Sequence, residues 1–123
     1  MLNVHTRNFG SMSILCLQGR IVIGSTAALR HAAHFPLGIT TVVLDLAQVS
    51  SVDAAGLGVL LELRAQMQLK GIALKLMNLT KRISEVLEIT RLNSVFEVTS
   101  AAELLSRYSH VSEVRMHQLA SCA

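Results

Sequence analysis

Apolar and polar positions alternate along NVHTRNF (residues 3–9) and MSILCLQGRIVI (12–23), and the Gly10-Ser11 pair divides the two runs. Period-two patterning predicts two strands, and so short a break predicts a hairpin at the N-terminus. Gly24-Ser25 ends the second run. In STAALRHAAHF, Leu29, Ala32 and Ala33 fall at helical spacing, which predicts a short helix with Ser25 as N-cap and Pro36-Leu37-Gly38 as its stop. TTVVLDLAQV (40–49) is β-branched and nearly all apolar to Leu46, the pattern of a central strand covered on both faces.

From Asp53 onward, AAGLGVLLELRAQMQLKG reads as a helix of about four turns, capped by Asp53, buried at its apolar N-terminal half and ended by Gly71. IALKLMNL (72–79) alternates into a further strand. Thr80 then caps KRISEVLEITRLN, in which Ile83, Val86 and Leu87 share one face while Lys81, Arg82, Glu85 and Glu88 take the other. VFEV is a last short strand, and Ser100-x-x-Glu103 is a capping box opening a C-terminal helix through Leu104, Leu105 and Tyr108. Strand then helix, repeated after a hairpin, predicts an α/β fold: a mixed β-sheet with about four helices packed on it. Residues 3–108 form the domain, and residues 109–123 are either an extension of the last helix or a flexible tail.

Composition narrows the function. A chain of 123 residues, 51% hydrophobic and 15% charged, suits one folded domain whose core, at 3% aromatic content, is built from aliphatic side chains. The formal charge of +3 is scattered and lacks aromatic neighbours, so no nucleic-acid partner is expected. The start, MLNVHTRNFG, carries no basic segment followed by an apolar one, and no run approaches the roughly 18 apolar residues of a membrane span. A cytoplasmic protein without a membrane span is the expectation. Cys16 and Cys122 read as two unpaired thiols, and His31 and His34 as surface histidines without a ligand set, so neither cofactor nor metal is expected.

The chemistry-bearing stretch is SSVDAAGLG, residues 50–58. Asp53 precedes the helix and suits a cap. No nearby His, Lys or Cys completes an acid/base or nucleophilic pair with it, so no enzyme is expected. Gly56 and Gly58 echo a dinucleotide fingerprint whose third glycine is replaced by Leu61; close packing of helix on sheet accounts for them better. Ser50 and Ser51, just upstream, read as turn serines, with modification of either one as the alternative.

An apolar strand, then Val-Asp, two small residues, Gly-Leu, a long helix and the run LKLMNLTKRISEVLEITRLNSVFEV closely resemble the STAS domains of bacterial anti-sigma factor antagonists, over nearly the whole chain. In that family the loop reads apolar-Asp-Ser/Thr-Ser/Thr-Gly-Leu/Ile. The second hydroxyl residue is phosphorylated by a partner that is both anti-sigma factor and serine kinase. The matching positions here are Val52, Asp53, Ala54, Ala55, Gly56 and Leu57, so Ala55 stands at the phosphoacceptor position and cannot accept phosphate.

The resemblance implies an anti-sigma factor antagonist, lacking the usual switch, that regulates sigma-dependent transcription. Its implied partner surface is Asp53, Ala54, Ala55, Gly56, Leu57, Thr80, Lys81, Arg82 and Ser84. A homodimer is compatible with it, and whether the two alanines are natural or engineered stays open. The alternative is a STAS accessory subunit that binds the ATPase of a bacterial lipid-transport ABC system.

Overall fold

The computed structural model describes residues 2–107, with Leu105, Ser106 and Arg107 described by their backbone alone. Tyr108, Cys122 and the expected extension or tail at 109–123 lie outside the described residues. Chain order is β1 (Leu2–Phe9), β2 (Met12–Ile21), α1 (Ala27–Ala32), β3 (Thr41–Val52), α2 (Ala54–Leu69), β4 (Ala73–Met77), α3 (Lys81–Ile89), β5 (Glu97–Thr99) and α4 (Ala101–Arg107). One sheet carries the strands in the order β1-β2-β3-β4-β5. β1 and β2 form the expected antiparallel hairpin, with Leu2 opposite Gly19 and Phe9 opposite Met12. β2 through β5 run parallel. Each parallel step requires a crossover, and α1, α2 and α3 supply them.

The strand period of two divides the core between the faces of this sheet. On one face Leu15, Leu17, Val42, Leu44 and Leu76 meet Leu29 of α1, Leu60, Leu63 and Met67 of α2, and Ile83 and Leu87 of α3. On the other, Met12, Ile14, Cys16, Val43 and Met77 meet Phe9 and Leu104 of α4. β2 and β3 are therefore covered on both sides, which is why they read as apolar runs. Cys16, expected as a free thiol, is instead disulfide-bonded.

Several boundaries differ from the sequence reading. Ser25 does not cap α1: its hydroxyl lies 2.6 Å from the Arg20 carbonyl and accepts from Val22 N at 3.1 Å, so it is consumed in the turn leaving β2. α1 starts after Thr26, which makes no side-chain cap bond, and it covers six residues only. α2 ends as expected, with Gly71 at φ 72°, Ile72 N donating to Met67 O (2.8 Å) and Gly71 N to Gln68 O (3.1 Å). α3 stops at Ile89 by the same motif built on a non-glycine: Arg91 at φ 60°, with Leu92 N donating to Leu87 O at 2.8 Å. The Ser100 cap holds, its hydroxyl accepting from Glu103 N at 3.1 Å, while the Glu103 carboxylate accepts from Thr99 Oγ1 at 3.0 Å.

Candidate functional site

Because β2 to β5 are parallel, every strand-to-helix connection emerges at one edge of the sheet. β4 pairs with β3 only as far as Met77 opposite Asp45. Beyond that point β2 and β3 continue together, with Gly19 opposite Val49, Arg20 opposite Ser51 and Ile21 opposite Val52, past two register shifts. The pair forms a tip from which the β2–α1 turn and the start of α2 both depart.

Asp53 ties those two departures together. Its extended backbone (φ −106°, ψ −174°) ends β3, and its carboxylate caps α2 by accepting from Gly56 N through Oδ1 at 2.9 Å. The other oxygen, Oδ2, accepts from Ile23 N at 3.0 Å across the tip. These amides, Ile23 first and Gly56 second, hold the Asp53 carboxyl below its ordinary range, because they bond to the charged form. With both oxygens engaged by backbone, Asp53 is a structural carboxylate that fixes one loop against another.

Gly56 completes the joint. It is buried, and a Cβ there would overlap the Ile21 carbonyl, so only glycine lets the first turn of α2 sit on the end of β2. The packing explanation for glycine fails at Gly58, which is exposed and would have nothing within 4 Å of a Cβ. The first half of α2 is also less buried than its composition predicts. Ala54 is exposed, Ala55 and Leu57 are half-buried, and Val59 and Leu60 are the first apolar side chains to enter the core.

The second predicted segment opens α3. Thr80 Oγ1 accepts from Ile83 N at 3.2 Å, Lys81 and Arg82 are exposed, and Ser84 is half-buried. Asn78, at φ 57°, turns the chain out of β4 while its Nδ2 donates to the buried Asp45 Oδ1 at 3.1 Å, the oxygen that also accepts from Ala47 N. α3 thus begins on the same edge as Asp53 but set back, since β3 runs on from Leu46 to Val52, roughly 20 Å of strand. Asp53, Ala54, Ala55, Gly56 and Leu57 form one compact feature. Thr80, Lys81, Arg82 and Ser84 form a lower shelf.

A family model of the STAS domain matches residues 3–105. The chain belongs to the STAS-domain family. Among solved structures, a proposed anti-sigma factor antagonist from Thermotoga maritima superposes with a TM-score of 0.75 at 18% identity, covering 85% of this chain and 92% of its own. The Bacillus anti-sigma factor antagonist SpoIIAA in its unphosphorylated form gives 0.69 at 16% identity, covering 90% of this chain and all (100%) of its own. A sulfate transporter family protein from Wolinella succinogenes gives 0.65 at 18%, covering 72% and 75%. At these identities the likeness is one of fold.

Within this STAS domain, three features of the tip went unread in the sequence. Ser50 and Ser51 are strand residues of β3 and not turn serines: Ser50 Oγ lies 3.3 Å from Gly19 O, and Ser51 Oγ accepts from Arg20 Nε at 3.2 Å. The cross-strand partner that extends β3 is set by tertiary pairing, which local composition does not encode. Ile23 is the third feature, 79% exposed and bonded through its amide to Asp53. The strand expected through Ile23 ends at Ile21, and the available signal was an aliphatic residue directly before the Gly24 turn. Among the described residues no group of three or more His, Cys, Asp and Glu side chains could hold a metal, and no helix is long and apolar enough to cross a membrane.

Proposed function

We propose that this STAS domain is an anti-sigma factor antagonist that binds an anti-sigma factor of the serine-kinase type through the β2–β3 tip, without the usual phosphorylation switch. Its action is sequestration in the cytoplasm: the partner, once held, no longer restrains its sigma factor. The observation that carries this reading is the start of α2, where a carboxylate-locked first turn presents Ala54 and Ala55 where the family's loop has hydroxyl residues. SpoIIAA, a protein of this fold, has solved structures in phosphorylated and unphosphorylated forms.

The physical argument concerns charge at a docking surface. A phosphate at the first helical turn adds roughly 1.5 to 2 negative charges, and a partner packed there must desolvate or repel them. Alanine adds none, so the tip keeps one electrostatic state. Exposed Ile23 beside Asp53 supplies apolar area of the kind that anchors a protein interface. Thr80, Lys81, Arg82 and Ser84 on the lower shelf extend the contact, and no cofactor takes part.

The test is calorimetric titration of the full chain with the kinase-type anti-sigma factors of its own organism, alongside mass spectrometry after incubation with ATP. Saturable binding is expected, unmodified at residues 50–57, and weakened at least about tenfold by Ala55→Glu, a loss of about 1.4 kcal/mol. Binding that Ala55→Glu leaves intact, phosphate on Ser50 or Ser51, or binding to a lipid-transport ATPase in place of the anti-sigma factor would overturn the proposal.

A further inference from the structure

We infer that the edge of the sheet opposite the tip is a docking face for an anionic phospholipid surface. Five large hydrophobic residues are exposed among those described, and three of them, Leu37 (104% exposed), Leu69 (90%) and Ile89 (82%), lie at helix-to-strand connections. Leu37 precedes β3, Leu69 ends α2 before β4, and Ile89 ends α3 before β5. Since those strands are parallel, all three connections lie at the same edge, and backbone bonds from Thr40 N to Ser11 O (2.8 Å) and from Ala73 N to Thr40 O (2.9 Å) join neighbouring segments there. Isolated exposed aliphatics are ordinary; three at successive connections on one edge are a pattern.

The charge beside them selects the occupant. Lys70 follows Leu69 directly and Arg91 follows Ile89 by one intervening residue, both exposed, and exposed His34 lies near Leu37 in the chain. The exposed acid alongside is Glu88; Glu62 is taken up by Arg30 at 3.1 Å, and Glu97 by Lys75 at 3.5 Å. Aliphatic side chains flanked by basic ones fit the boundary between acyl chains and anionic headgroups. Two backbone observations point the same way. Leu37 occupies the tip of the Pro36-Leu37-Gly38 turn, where polar residues are usual. Arg91 holds a left-handed conformation (φ 60°) at a helix exit that favours glycine, so a long basic side chain is kept at a position where the backbone would be better served without it.

Vesicle co-sedimentation of the full chain tests this, with phosphatidylglycerol–phosphatidylcholine vesicles against phosphatidylcholine alone at low and high salt. Binding to the anionic vesicles is expected, reduced at least about fivefold by salt, by Leu37→Ser/Leu69→Ser/Ile89→Ser and independently by Lys70→Gln/Arg91→Gly. The second variant removes charge while relaxing the α3 exit, so it folds at least as well as the parent. Ala55→Glu, at the other edge, is expected to leave vesicle binding unchanged, which separates this inference from the proposed antagonist function. Absence of binding to anionic vesicles, equal binding by either multiple variant, or sedimentation velocity showing self-association that the serine variant abolishes would overturn it, the last by assigning the face to a second copy of the chain.

Discussion

Gly56→Ala and Gly58→Ala are the same chemical change within one turn of α2, and the structure assigns them opposite signs. A Cβ on Gly56 would stand 2.8 Å from the carbonyl carbon of Ile21 and 3.1 Å from its Cγ2, with the carbonyl oxygen closer still. The obstacle is mostly backbone at the end of β2, where Ile21 pairs with Val52, so relief requires α2 to lift away from the sheet. Overpacking costs about 1–3 kcal/mol, and an obstacle made mostly of backbone, which has no rotamer to move aside, puts this site in the upper part of that range, about 2–3 kcal/mol. The helix-propensity gain of alanine over glycine, about 1 kcal/mol, offsets only part of it. A net loss of about 1–2 kcal/mol is expected for Gly56→Ala. At Gly58 nothing lies within 4 Å of the added carbon, so the propensity term stands alone and stability should rise by about 0.5–1 kcal/mol. Equilibrium urea unfolding followed by circular dichroism measures both, provided the m-value is unchanged. A Gly56→Ala protein as stable as the parent would refute the direct contact between α2 and the end of β2, and a destabilised Gly58→Ala protein would refute the open environment assigned to that position.

Arg91→Gly should stabilise the fold by about 0.5–1 kcal/mol, because relief of a left-handed non-glycine residue exceeds the entropy glycine adds to the unfolded chain; thermal unfolding reads it. Asp53 has its carboxyl lowered in the folded state, so its contribution is fully present above the ordinary carboxylate value of 3.8 and is lost as pH falls through the lowered one. The stability gap between parent and Asp53→Asn should therefore close on acidification, and a gap that widens would refute the two amide bonds. Lys75 is buried (side chain 5% exposed) against a Glu97 that is 54% exposed. Lys75→Met should stay within about 1 kcal/mol of the parent, since an apolar isostere avoids desolvating the ammonium. Glu97→Gln should cost more, about 1–3 kcal/mol, because it leaves the buried ammonium without its charged partner. A Lys75→Met protein several kcal/mol less stable than the parent, or a Glu97→Gln protein as stable as the parent, would refute this ordering.

The fold was legible where a residue's local choice agrees with its tertiary role. The apolar runs of β2 and β3, the caps at Asp53, Thr80 and Ser100, and Gly71 each carry a local signal, and each lies where its chemistry predicts. Legibility failed where a partner distant in sequence decides. β3 extends through Ser50, Ser51 and Val52 because β2 lies alongside, and the exposed polar residues there mask the strand. α3 stops at a non-glycine, so the expected run to Asn93 had no visible end. Ser25 carries the chemistry of a cap but spends it on the turn leaving β2. At the site, Asp53 and Gly56 were readable as cap and close contact, whereas the bond from Ile23 to Asp53 joins residues thirty positions apart and could not be seen from either neighbourhood.

That bond also bears on how the tip, as the docking surface proposed above, is regulated. Asp53 accepts from one amide on each loop, so the β2–α1 turn and the α2 N-terminus cannot be displaced separately without losing a bond to a charged oxygen. On the proposed reading, alanine at position 55 takes no phosphate charge, so the tip's affinity for a partner is set by shape and apolar area. On that same reading, control comes from where the domain is held or how much of it is present. β3, twelve residues long, separates the tip from the Leu37, Leu69 and Ile89 edge by about 40 Å. A lipid surface at the inferred edge would leave the tip free, so membrane attachment would change the local concentration of the proposed antagonist without competing for its proposed site. If vesicle-bound and free protein proved to differ in affinity for the anti-sigma factor by more than about tenfold, the two edges would be coupled through the sheet and this separation would be refuted.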